Sequence, residues 1–488
     1  MTHLLTRLKI TTAACLTGLL AAAPVQATDW LMIQGTEPDG AAERARIWGF
    51  IQPQYNDIGD TKLKAGPWAG QDAIFNVIAP GNDTNSGFQL RRARLGVRGT
   101  GFPLDSNVNY FLLAEFGDNG VTANNGGSVR VTDASITLNH LKDYTRVRFG
   151  QFKTPGSEDG LQAIHVHNYN NFSIAADQLL LERFRDWDGV GTCSVPDPTL
   201  PLSPTESLWY LTCSGGNGVN GSVGAYRDIG LQLFNSFSIA DGPGRYPWEL
   251  SYAFMVGNGN GIARGDNDDN REFYYYLSAG QVFGGDGPRR QDWKVFAWYQ
   301  DGKRTLFDTS TTALDPFSGN AVPVPIEREF DRTRWGVGGT YRKGKYRVYG
   351  EYIVADGMIP NGTDGGAVPG ALTNAPNPVS GLFQVATANT LTDNKAKGWY
   401  LDAGYQVLPN LELDVRYDEL DRGTEGAAAN ERDFTRWTLG AQYFFNKKSR
   451  FTLNYEFRDI EAPGGNATAK SVVDSVDDVL TAQVLVIF

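Results

Sequence analysis

The sequence predicts an all-β chain folded as a transmembrane antiparallel β-barrel of sixteen strands, with a long third external loop folded into its lumen. Three observations predict it. Side chains alternate apolar and polar along segment after segment, the connections alternate long and short, and no apolar run is long enough for a membrane helix. Mean hydropathy is −0.33, ordinary for a soluble chain. A barrel wall explains this value, because half of each strand faces water inside the barrel and stays polar.

Taken in order, residues 1–27 have Arg7 and Lys9, then an apolar stretch, then Val25 and Ala27 at a cleavage-type spacing. They are expected to be a cleaved secretory signal peptide, which takes the chain out of the cytoplasm. Cys15 falls inside it, and Thr12 stands where a lipoprotein leader would carry leucine, which disfavours lipidation. Residues 28–44 read as a lead-in and 45–488 as the barrel. The strands fall at 45–56, 88–101, 106–118, 128–140, 144–153, 226–240, 247–257, 270–283, 291–302, 331–342, 345–355, 397–408, 410–421, 434–445, 450–460 and 478–488.

The alternation is clearest in "RRARLGVRG". Arg92, Arg94, Gly96 and Arg98 share one face, and Ala93, Leu95, Val97 and Gly99 the other. Leu411, Leu413, Val415 and Tyr417 stand opposite Glu412, Asp414, Arg416 and Asp418, and the chain ends on the row Leu480, Ala482, Val484, Val486 and Phe488. The gaps 102–105, 141–143, 241–246, 343–344 and 409 are short; 57–87, 154–225, 303–330 and 356–396 are long. A soluble sandwich has no reason to keep its long connections at one end. A membrane barrel does, and it also gives every backbone group a partner without leaving an edge.

The connection 154–225 contains "LQAIHVHNYNNFSIAADQLLLERF", too apolar for a loop in solvent, so it is expected to narrow the barrel; an outer cap is the alternative. Cys193 and Cys213 within it form an even pair in an exported chain, and one disulfide is expected, stabilising by ~3 kcal/mol. Between Phe88 and Lys153 nine basic residues against five acidic ones leave +4, whereas the whole chain carries −11. Arg92, Arg94, Arg98, Arg130, Arg146, Arg148 and Lys153 are the candidate anion-pathway residues, since inward guanidinium and ammonium groups concentrate anions and suit phosphate-like groups. Glu412, Asp414, Asp418 and Glu456 could instead form an opposing acidic wall that leaves little net selectivity.

"FQLRRARLGVRG", "YFLLAEFGDNG" and "VRFGQFKTPGSEDG", followed by "WELSYAFMVGNGNG", "GWYLDAGYQV", "LELDVRYDELD" and "RFTLNYEFRD", resemble in their order the phosphate-selective porin O/P family of Gram-negative outer membranes. The resemblance implies a sixteen-stranded barrel, a homotrimer in outer-membrane lipid and lipopolysaccharide, and a water-filled channel for small anions such as phosphate or polyphosphate. It points to the row Arg92, Arg94 and Arg98 and to Lys153 of "GQFK" as anion contacts. A general, weakly selective porin is the alternative.

An outer-membrane enzyme or an adhesin are the competing classes. Outside the signal segment histidine is limited to His140, His165 and His167, and no G-x-S-x-G occurs. "HVH" would put His165 and His167 on one side if extended, but no second ligand pair completes a zinc site. "DNDDN", 266–270, lacks the glycine and distal glutamate of a calcium loop. No enzyme activity, cofactor, metal site or nucleic-acid partner is expected.

Overall fold

The computed structural model describes residues 30–37, 44–66, 69–70, 72–73, 75, 85–101, 104–117, 119, 129–181, 225–239, 246–262, 266, 268–285, 287–314, 321–361, 389–391 and 393–488. The signal-peptide segment 1–27 and both Cys193 and Cys213 lie outside the described residues.

The described residues form eighteen strands: β1 Arg46–Asp57, β2 Ser86–Gly101, β3 Asp105–Glu115, β4 Arg130–Leu138, β5 Arg146–Lys153, β6 Arg227–Ile239, β7 Trp248–Gly257, β8 Glu272–Gly284, β9 Gln291–Leu314, β10 Ala321–Lys343, β11 Tyr346–Asp356, β12 Ile359–Asn361, β13 Asn389–Leu391, β14 Lys395–Leu408, β15 Leu411–Arg422, β16 Arg432–Asn446, β17 Ser449–Glu461 and β18 Val479–Ile487. Each of the sixteen expected segments is a barrel strand. All but β12 and β13, which pair with each other in a small separate hairpin, close into one antiparallel barrel. Neighbours in the ring are neighbours in sequence, and β1 closes it against β18, pairing Phe50 with Ile487 and Tyr55 with Ala482.

Alternation decides which side of the wall is which. Along β15, Leu413 and Val415 are exposed while Glu412, Asp414, Arg416 and Asp418 are buried. In a closed barrel the exposed apolar face can only be the outer, lipid-facing one. Two aromatic belts ring that outer face. Trp399, Tyr417 and Trp437 are in ring contact near the long-loop end; Tyr346 and Tyr405, and Tyr443 with Phe445, meet near the short turns. Tyr405 lies six positions beyond Trp399, about 20 Å along a strand, which suits the apolar band of an outer-membrane barrel.

Two expectations need correcting. The segment 303–330 was expected to be a long loop. Instead β9 and β10 run on as a paired ladder to Leu314 and from Ala321, with a register shift between Val324 and Ile326 that accommodates Pro325. Likewise 356–396 is not all loop, because β12 and β13 lie within it. Strict alternation also fails in the middle of β2. Gln52 pairs with Arg92 and Pro53 with Leu90, so Arg91 is the extra residue of a bulge, and it is buried together with Arg92.

Candidate functional site: the channel lining

Of the seven candidate residues, Arg92, Arg94, Arg148 and Lys153 are buried and the other three half-buried, on the polar face of β2, β4 and β5. Their surroundings differ. Arg94 Nε donates to Glu115 Oε2 at 2.7 Å, with the guanidinium 5.7 Å from the centre of the Phe50 ring. Arg92 donates to Gln52 Oε1 at 3.3 Å. Arg98 is ion-paired with Glu37 and donates to the carbonyl oxygens of Ile33 (3.0 Å) and Thr36 (2.7 Å). Arg148 reaches Thr137, Gln232 and the Leu31 carbonyl. Arg130 and Arg146 bond to the Ile262 carbonyl and to Asn139. Lys153 Nζ donates to the carbonyls of Gly160 and Gln162, each at 2.7 Å.

Arg94, Arg98 and Lys153 meet on one cavity of about 360 Å³, and Arg92, Arg130, Arg146 and Arg148 do not line it. Arg46, Arg227 and Lys448 bring its basic residues to six, against one carboxylate, Asp133. Trp48, Phe50, Phe111, His165 and Phe488 supply much of its apolar wall. Arg46, Lys448 and Phe488 place it at the short-turn end, where the barrel's first strand begins and its last one ends.

The described part of the third connection, 154–181, is bonded to this polar face on both sides of the barrel. Besides Lys153 on β5, Arg416 on β15 donates to the carbonyls of Asn171 and Phe172, and Arg436 on β16 to that of Phe172. Arg334 on β10 donates to the Leu179 carbonyl, and Asn454 on β17 accepts from the Asn170 amide. β5 and β15 lie eight places apart in the ring of sixteen, so the segment reaches opposite walls. A chain with only two short helices, Glu158–Leu161 and Ile174–Leu180, leaves many carbonyls without helical partners, and five-donor guanidiniums fill that need. The segment is not extended at "HVH". A 3₁₀ turn, Ile164–Val166, sends His165 against Phe50 and Trp48, and His167 against Phe172 and Asp159. Burial, with Arg450, Lys153 and Arg94 adding to it, pushes the His165 imidazole down to about 3. His167 is likewise held well below the ordinary histidine range. Among the described residues no histidine, cysteine and carboxylate cluster is arranged to hold a metal.

The model of the family described as phosphate-selective porin O and P matches residues 64–187 and 331–486, more than half of the chain. The chain belongs to that family. No curated protein matches its sequence. Solved structures similar to this porin include the outer membrane channel DcaP of Acinetobacter baumannii (13% identity, 93% of this chain and 100% of that one, TM-score 0.48). Others are OmpT of Vibrio cholerae (11%, 93% and 100%, 0.46) and an anion-selective porin from Comamonas acidovorans (13%, 91% and 99%, 0.43).

The porin's wall on β15 and β17 carries the expected carboxylates, and each is bonded to arginine. Glu412 and Asp414 are held by Arg347, which also pairs with Asp402; Asp418 is held by Arg416 and Arg436, and Glu456 by Arg436. Arg227, Arg334, Arg347, Arg416 and Arg436 were not among the sequence candidates. The signal was present, since each lies on the polar face of its strand, but acid and base alternate on those strands and leave no local excess of base like that between Phe88 and Lys153.

Proposed function

We propose that this porin, an outer-membrane channel for small solutes in a Gram-negative bacterium, passes anions in preference to cations, with phosphate-like solutes as the favoured class, and that the segment 154–181 narrows the path. The observation that carries the reading is the cavity lined by six basic side chains and one acidic one, Asp133, with Glu115 and Glu37 pairing Arg94 and Arg98. The wider lining leans the same way. Among the described residues seventeen buried lysines and arginines stand against fourteen buried carboxylates, in a chain whose net charge is −11. Fixed guanidiniums keep their charge at any physiological pH and raise the local anion concentration. Arg94 and Arg98, with Arg92 behind them, act as the wall charges, and Lys153 joins them at the segment.

The chain acts as a channel, not as a catalyst, and works as a homotrimer in lipopolysaccharide-bearing membrane, its short turns on the periplasmic side. The pairing of carboxylates with arginines on β14–β17 favours a second reading, a weakly selective general porin. The reversal potential of purified protein across a salt gradient, with and without phosphate, separates the two. Anion preference with phosphate block of chloride current supports the first, and a potential near zero the second.

A further inference from the structure

Residues 30–37 precede β1, yet they lie against the basic wall. Trp30 and Leu31 are buried, and Trp30 Nε1 donates to Glu158 Oε1 at 2.9 Å, tying this segment to the 154–181 segment. Arg148 donates to the Leu31 carbonyl, and Arg98 to those of Ile33 and Thr36. The Glu37 carboxylate is paired with Arg98 and has Arg46 at 3.9 Å, while its own amide donates to Asn109 Oδ1 at 3.0 Å. Ile33 and Gln34 line the 360 Å³ cavity.

Three carbonyl oxygens and one carboxylate of this segment therefore bond to two guanidiniums on the polar face of the wall. An arginine fork that binds a carboxylate binds phosphate with the same geometry. We propose that residues 30–37 are a tethered occupant of the channel, and that Arg98 with Arg46 forms an oxyanion site which Glu37 fills until a solute's carboxylate or phosphate group displaces it. The proposal rests on the anion-channel reading for the identity of the solute; the steric part, a chain segment occupying the bore, stands apart from it. Displacement exchanges one charge-assisted pair for another, so the segment costs a passing anion less than it costs a neutral solute or a cation, which has nothing to offer Arg98.

The test uses the full-length porin in planar bilayers with inorganic phosphate as the probe. Residues 30–37 are replaced by a Gly-Ser linker of equal length, and Glu37→Gln and Trp30→Ala are made separately. The linker variant should show single-channel conductance raised at least about twofold, because a bore conducts in proportion to its open section. Phosphate should block its chloride current at about tenfold lower concentration, the gain expected from one freed charge-assisted pair. Arg98→Ala in the linker background should cancel the phosphate gain and keep the conductance gain. Glu37→Gln should sharpen phosphate block at nearly native conductance. Trp30→Ala, which leaves every strand untouched, should flicker to the higher level and so decides the matter if the linker variant does not assemble. Native conductance with native block in an assembled linker variant overturns the proposal, as does a steady native current in Trp30→Ala. Raised conductance in a cation-preferring channel would leave the tethered segment in place and overturn the anion reading instead.

Discussion

Arg94 shows how a lining residue does two jobs. Its guanidinium lines the cavity, and the same group neutralises Glu115, which is 0% exposed and also accepts from the amides of Ala93 and Gly117. Arg94→Ala removes that cation from a buried carboxylate, and the loss should be about 3–5 kcal/mol, read as a lower temperature of heat-modification on gels. The rim substitutions Arg46→Ser and Lys448→Ser fall on exposed residues and should alter selectivity with no such loss. His165 gives a pH prediction. With its imidazole held near 3 by burial and by Arg450, Lys153 and Arg94 facing it, the ring stays neutral above pH 5. The conductance–pH curves of the native channel and of His165→Gln should therefore superpose from pH 5 to 8; a step near pH 6.5 in the native channel alone would show a charged imidazole in the path. At this scale the sequence told which side chains point inward, since period-two alternation needs only local residues. It could not tell their partners, which lie far along the chain: Glu37 is 61 residues from Arg98, and Phe172 264 from Arg436. Arg91 escaped for another reason, because a bulge breaks the period that the reading depends on.

The elements were legible wherever lipid constrains them. All sixteen barrel strands were expected within a few residues at the membrane, where one face must be apolar. The ladder of β9 and β10 was legible only to its membrane part. Beyond it the sequence "TLFDTSTTAL" needs no apolar face, and the prolines at 323 and 325 read as loop, yet backbone pairing continues. An epitope tag inserted within 315–320 should be labelled on intact cells, and one at 344–345 should not; the reverse pattern would invert the barrel. Closure depends on Gly49. A Cβ there would sit 2.4 Å from the Arg94 carbonyl oxygen and 2.6 Å from the Phe488 ring, while Gly49 and Phe488 exchange backbone hydrogen bonds. The carbonyl belongs to the neighbouring strand and cannot yield as a side chain does, so Gly49→Val should prevent closure and leave unassembled chain in the periplasm. Gly150 in "GQFK" has φ +128° and its Cβ position lies 2.2 Å from the Ala134 carbonyl. Gly150→Ala should lower assembled protein in the same assay, and normal yield would contradict the strain.

Across the whole molecule, the wall is apolar outside and charged inside, and much of the inner charge is spent on holding chain. Lys153, Arg334, Arg416 and Arg436 bind backbone of 154–181, and Arg98 and Arg148 bind backbone of 30–37. Under the proposed function, selectivity then falls to the cavity groups that bind backbone of neither segment, Arg46, Arg94, Arg227 and Lys448, against Asp133. Their field decays over ~10 Å at 0.1 M salt, so it acts on solutes passing near the wall and grows as salt is lowered. The most direct measurement is the reversal potential of the purified channel across a potassium chloride gradient, native beside Arg92→Ala/Arg94→Ala/Arg98→Ala, with Leu95→Ala/Val97→Ala as the lipid-facing control. The native and control channels should give the sign of chloride preference, stronger at low salt, and the arginine variant should move toward potassium. A native channel that prefers potassium, or an arginine variant that keeps the native potential while the control loses it, would contradict the account.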